Sequence, residues 1–225
     1  MRNNLVKWMK ANQILLWMFL SFSLLFVAGY IFIELAEEVL ENEQFMIDHQ
    51  FQQWLSFEPN STVHHLFQYI TELGSIWFLM LASTIAVVVL YLVYRERYLI
   101  SIFMINMAGT SLLTLLLKQV FQRDRPQIID AVDGVGYSFP SGHATGAMAF
   151  YGFLAFIILQ SQLRQSLKFF ITTCLVIIIG LVLMSRVILD VHYFTDIVAG
   201  GLLSFGWLQA SILSIYYLRH KSRSS

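Results

Sequence analysis

Long unbroken apolar runs dominate the pattern of this chain, and strict polar–apolar alternation is absent from it. Stretches near the ~20 residues that cross a bilayer as a helix occupy roughly Ile14–Ile33, Ser75–Tyr94, Tyr98–Leu117, Ala144–Gln160, Phe169–Ser185 and Phe194–Leu218. Six spans are therefore predicted in an all-α, polytopic membrane protein. Helices are the natural reading, because hydrocarbon offers backbone groups no partner outside the segment itself. The last run is longer than a bilayer needs, which predicts a helix that tilts or continues beyond it. The first run follows Lys7 and Lys10, as a secretory signal core does. It is too long for one and lacks an Ala-x-Ala cleavage site, so it reads as an uncleaved anchor.

Between the first two spans the pattern changes. Glu34–Gly74 holds eight acidic residues and no Lys or Arg. Within it Ile47, Phe51, Trp54 and Leu55 recur at helical spacing, and so do Val63, Leu66, Phe67 and Ile70. Amphipathic helices lying on the outer leaflet after the first span fit this spacing. Two readings stand side by side for them: a lid or lipid-access wall over a site, or a solvated connector that packs one face on the bundle. No internal repeat interrupts the chain, and one integral membrane domain is expected over residues 1–225.

Composition agrees and adds the orientation. The chain is 57% apolar and 12% charged, with a formal net charge of zero. Six spans put both termini on one side, and ten of the fourteen Lys and Arg residues then fall on that side. The positive-inside rule makes it the cytoplasm. Lys118, Arg123, Arg125 and Arg186 remain outside, together with thirteen of the fourteen acidic residues. Cys174 is the only cysteine and lies in mid-span, which excludes an internal disulfide and a cysteine-based metal site. Ala199-Gly200-Gly201, Ser204 and Gly206 in the sixth run, with Gly109 and Ser111 in the third, read as small residues that let helices pack closely.

Three of the four outer cations belong to short patterns within a signature region, residues 118–196. These are Lys118 through Arg125-Pro126, then Pro140-Ser141-Gly142-His143, then Ser185-Arg186 through His192 to Asp196. A phosphoryl group in transfer carries negative charge on its equatorial oxygens, so its catalysis is mainly positioning and electrostatic stabilisation. Arg125 and Arg186 can each offer a planar fork to phosphate oxygens, and Lys118 adds a point charge. Ser141 suits a helix cap, a helix start offers backbone N–H groups to anions, and Gly142 leaves room for close approach. His192 and Asp196 are four apart, hence on one face if the sixth span begins near Val191. A carboxylate there can hold one ring nitrogen protonated and aim the other at phosphorus. Attack by that nitrogen would form a phosphohistidine that water then cleaves. The charges alone do not say which histidine attacks. The adjacent carboxylate favours His192 as nucleophile and leaves His143 as proton donor to the leaving oxygen and base for water. Because the patterns flank membrane spans, a lipid phosphate is the expected substrate.

These patterns resemble the phosphatidic acid phosphatase type 2 superfamily, whose three-part signature matches without a gap, and within it the bacterial membrane enzymes of the phosphatidylglycerophosphatase B type. The resemblance implies a metal-independent lipid phosphatase with an outward-facing site in the cell membrane and no cofactor. It implies Lys118, Arg125 and Arg186 as phosphate ligands, with Ser141 and Gly142 as further donors. Phosphatidylglycerophosphate is the first substrate to expect, with phosphatidate and undecaprenyl diphosphate as alternatives; no nucleic-acid partner is expected. A phosphotransferase using the same intermediate is a rival reading. A metal hydrolase fits less well, since Asp124, Asp130 and Asp133 are spread over an outer loop. A transporter or receptor would explain the spans but not the ordered catalytic set. A soluble vanadate haloperoxidase shares such a pocket and is set aside by the six spans. Oligomeric state is not encoded in any pattern here.

Overall fold

The computed structural model describes residues 2–41, 45–55, 57–58, 61–127 and 135–224, with side chains for all of these except 2–18, 20, 220 and 222–224. Among the described residues every regular element is an α-helix: α1 (Arg2–Leu40), α2 (Met46–Trp54), α3 (Thr62–Glu72), α4 (Ile76–Tyr94), α5 (Arg97–Phe121), α6 (Gly142–Gln160), α7 (Gln165–Ile188) and α8 (Phe194–Ser224). Among the described residues α4 to α8 are each long and apolar enough to cross a membrane, and α1 runs through the first predicted span. The chain is an integral membrane protein. Helix α8 extends well past Leu218, as its excess length required.

Helix α6 is the most enclosed of the spans and packs against α4, α5, α7 and α8. Phe103, Phe150 and Phe153 meet edge-to-face at the centre of the largest apolar cluster. Since lipid tails are as apolar as leucine, contact between spans depends on close fit and on polar links. Asn106 of α5 donates to the Ala149 carbonyl of α6 at 3.0 Å and accepts from Ser211 of α8 at 3.3 Å. Thr114 of α5 meets Thr145 of α6 at 3.1 Å. Of the small residues, Gly109 and Gly200 allow close approach, whereas Gly201 and Gly206 meet neighbours at ordinary contact distance and Ser111 is exposed. A Cβ on Gly109 would fall 2.3 Å from the Trp207 ring, and one on Gly200 would fall 2.8 Å from the Ser141 carbonyl oxygen.

Helices α2 and α3 are the expected amphipathic pair, but the α2 stripe divides. Ile47 and Trp54 are exposed, at 41% and 72%. Phe51 instead stacks on Phe194 with ring centroids 3.8 Å apart, and Leu55 joins the same cluster. Asp48, one turn before Phe51, is buried on that inner face. On α3, Leu66 is exposed while Phe67 packs on Leu189 and Val191 and Thr71 is fully buried. Helix α3 lies along α7, and α2 along the start of α8. The inner faces of these two helices pack on the bundle, as the connector reading expected, at the end where the signature residues lie.

Candidate active site

Each signature residue sits at a helix end or in a connection next to one, all at one end of the bundle. Lys118 is in the last turn of α5, which stops at Gln122 in the left-handed region (φ 46°). Ser141 caps α6, its hydroxyl accepting from the Ala144 N–H, and His143 follows in the first turn. Arg186 is in the last turn of α7, after which Asp190 turns the chain at φ 55°. Ser141, Arg186 and Asp196 are fully buried, and His192 is 1% exposed.

Helix α8 begins at Phe194, three residues later than the register that would put His192 and Asp196 on one helical face. The pair forms by another route. His192 lies in the bend before the helix, and Asp196 in the first turn reaches back, its Oδ2 accepting from the Tyr193 N–H at 2.9 Å and facing His192 Nδ1 at 3.3 Å. The other ring nitrogen, Nε2, is 2.9 Å from Nη1 of Arg125. A guanidinium N–H can only donate, so Nε2 accepts and this network places the ring proton on Nδ1, toward the carboxylate. Burial, and then the charges of Arg125, Arg186 and Lys118, push the His192 pKa well below its ordinary value. A neutral imidazole is the form that can act as a nucleophile once its Nε2 lone pair is released from Arg125.

The three signature cations converge within electrostatic reach of both His192 and His143. Each also holds part of the protein. Lys118 donates to the Tyr137 carbonyl. Arg125 donates to the carbonyls of Val135, Gly136 and Val191, at 3.0, 2.7 and 2.7 Å. Arg186 donates to the Thr71 hydroxyl at 2.7 Å. A Cβ built on Gly142 meets no protein atom within 4 Å, so packing does not demand glycine at that position. Asp130 and Asp133 lie outside the described residues. Among the described residues no three His, Cys, Asp or Glu side chains group as a metal site would need.

Several residues at this centre were not singled out by pattern. Arg123, the outer cation outside the signature, donates to Asp196 Oδ1 at 2.6 Å and to Asp48 Oδ2 at 2.7 Å. Asp48 also accepts from the backbone N–H and the hydroxyl of Thr195, each at 2.8 Å. Gln52 donates to Asp190 at 2.8 Å. One signal was available for Asp48: it is a lone acid at i, i+3 and i+7 spacing with Phe51 and Leu55.

Comparison with known proteins places the chain in a family. Residues 97–220, more than half of the chain, match the model of the PAP2 superfamily. The chain belongs to that superfamily and is a hydrolase of the phosphatase class. Phosphatidylglycerophosphatase B of Bacillus subtilis is 29% identical over 144 residues, covering 60% of this chain and 68% of that one. The crystal structure described as the first transmembrane PAP2-type phosphatidylglycerolphosphate phosphatase from Bacillus subtilis superposes with a TM-score of 0.76 at 21% identity, covering 86% of this chain and 96% of that one. Aquifex aeolicus LpxE superposes with a TM-score of 0.59 at 19% identity, covering 78% and 98%. At those identities the two structures share the fold.

Proposed function

We propose that this protein hydrolyses a lipid phosphate at the outer face of the cell membrane through a phosphohistidine on His192, with both termini in the cytoplasm. One observation carries the reading: His192 has Nε2 against Arg125 and Nδ1 facing Asp196, with Arg186 and Lys118 also within electrostatic reach of the ring. Nε2 attacks phosphorus and the bond to the lipid oxygen breaks, with His143 giving that oxygen a proton. Lys118, Arg125 and Arg186, with donors at Ser141 and Gly142, balance the charge on the equatorial oxygens. Water then attacks the phosphohistidine, His143 takes its proton, the P–N bond breaks and inorganic phosphate leaves. Asp196 stabilises the cationic imidazole formed on the way. Arg125 must shift from Nε2 onto the phosphate for this sequence to begin.

Phosphatidylglycerophosphate is the proposed substrate, supported by the name of the Bacillus subtilis relative. Phosphate release by the purified protein from phosphatidylglycerophosphate, phosphatidate and undecaprenyl diphosphate in mixed micelles is the test. The first should be turned over fastest, with free phosphate as product and an acid-labile phosphoenzyme trapped on quenching. Transfer of phosphate to an alcohol acceptor would instead make it a phosphotransferase, and an active His192→Ala protein would rule out the covalent route.

A further inference from the structure

Arg123 lies outside the signature, yet its guanidinium is held on several sides at the centre. It is flanked by the rings of Tyr193 and Phe45, with centroids 4.1 and 5.2 Å from Cζ. Nη1 donates to Asp196 Oδ1 and to the Thr195 hydroxyl, and Nη2 donates to Asp48 Oδ2. Asp48 in turn receives the Thr195 N–H and hydroxyl, so it also caps the start of α8 from another helix. We infer that Arg123 and Asp48 are positioning residues for His192, forming a charge relay Asp48–Arg123–Asp196 that aims the Asp196 carboxylate and sets how much of its charge His192 feels. This rests on the nucleophile reading given above for His192.

The argument is one of charge as well as geometry. With Arg123 alone, the Asp196 carboxylate would be matched one-for-one by a guanidinium at 2.6 Å. Little of its charge would remain to balance the imidazole that turns cationic on attack. Asp48 supplies a second anion to the same guanidinium, so the three groups together carry one net negative charge beside His192. Buried ion pairs of this kind add little stability for their desolvation, and a role in specifying or tuning a site explains them better. A purely structural link between α2 and α8 would need the shape of these contacts but not their sign.

The groups facing His192 are Lys118 from α5, Arg125 from the following loop, His143 from α6, Arg186 from α7 and Asp196 from α8. Asp190 lies in the same loop as His192; Asp48 from α2 and Arg123 act through Asp196. The experiment measures the pH profile of single-turnover phosphoenzyme formation on one substrate for wild type, Asp48→Asn, Arg123→Gln, Arg123→Lys and the double variant Asp48→Asn/Arg123→Gln. Asp48→Asn removes an anion, so the acid limb should move to lower pH and the plateau should drop. Arg123→Gln removes a cation, so its acid limb should move to higher pH. The double variant should return the limb near wild type. Arg123→Lys keeps the charge without the fork, leaving the limb in place and lowering the plateau. Plateau losses of about 10–100-fold are expected, as for outer-shell carboxylates behind metal-bound histidines. Vanadate affinity, measured alongside, should stay near wild type because the phosphate cradle is untouched. If a single variant fails to fold, the Arg123→Lys profile and the double variant still decide. Limbs that shift in the same direction, or do not shift while His192→Ala is inactive, would overturn the relay alone. An active His192→Ala protein would overturn the nucleophile reading beneath it.

Discussion

At the scale of single residues, the two histidines should separate by leaving group. A phosphate monoester releases an alkoxide that needs a proton, whereas a diphosphate releases a phosphate that departs readily. His143→Ala should therefore slow phosphoenzyme formation from phosphatidylglycerophosphate more than from undecaprenyl diphosphate, while His192→Ala abolishes both; equal losses would make His143 a phosphate-binding group instead. Asp196→Asn should lower turnover by ~10²–10⁴, as when an orienting carboxylate behind a histidine is lost. The depressed pKa of His192 has a second readout. An unfolded histidine binds a proton below about pH 6.5 that the buried ring resists, so its contribution to stability falls as pH drops below that value. Melting temperature in detergent should decline from pH 7 to pH 5, and His192→Gln should flatten that decline. The residues of this centre were legible in the sequence wherever they form part of a short spaced pattern, as Lys118, His143 and Asp196 do. Asp48 and Arg123 were not, because their pairing spans 75 positions and no local spacing announces it.

At the scale of helices, sequence reading succeeded with the spans and stumbled on the surface pair. A run of ~20 apolar residues has one physical solution in lipid; α4 to α7 end within a few residues of the predicted bounds, whereas α1 runs well past both of its bounds and α8 past Leu218. An amphipathic helix at an interface has two apolar surroundings, protein and lipid, and spacing does not say which residue meets which. That is why Trp54 and Phe51, grouped together by periodicity and in ring contact at 5.7 Å, differ in surroundings: Phe51 stacks on Phe194 while Trp54 stays exposed. The late start of α8 has a similar origin: the contacts of Asp48 and Arg123 hold its first turn, and neither belongs to that helix. Helix contact gives its own test. Gly200→Ala drives a Cβ into the Ser141 carbonyl, a backbone atom that holds the start of α6. The expected destabilisation is about 1–3 kcal/mol, with a loss of activity to match. Gly146→Ala meets only the Leu79 Cδ1 tip and should be milder. Gly142→Ala should melt like wild type, since its Cβ would enter open space, and should still lose activity if that space belongs to the proposed phosphate cradle. Thermal unfolding in detergent followed beside phosphate release distinguishes the three.

At the scale of the whole molecule, the proposed orientation rests on the asymmetry of Lys and Arg. In a Cys174→Ser background, His65→Cys on α3 should react with impermeant thiol reagents on intact spheroplasts, and Gln162→Cys between α6 and α7 should react only after lysis. The reverse pattern would turn the site toward the cytoplasm. The contact between Asp48 and Thr195, 147 positions apart, has a consequence for how the enzyme comes into being. Under the proposed roles of Asp48 and His192, early and late parts of the polypeptide must meet before His192 is held in place, so a nascent chain still emerging from the ribosome carries the first two signature patterns without being able to use them. Competence arrives only when the sixth long helix has been threaded into the bilayer. A half-made copy stalled in the insertion machinery is thereby chemically silent toward the lipids around it.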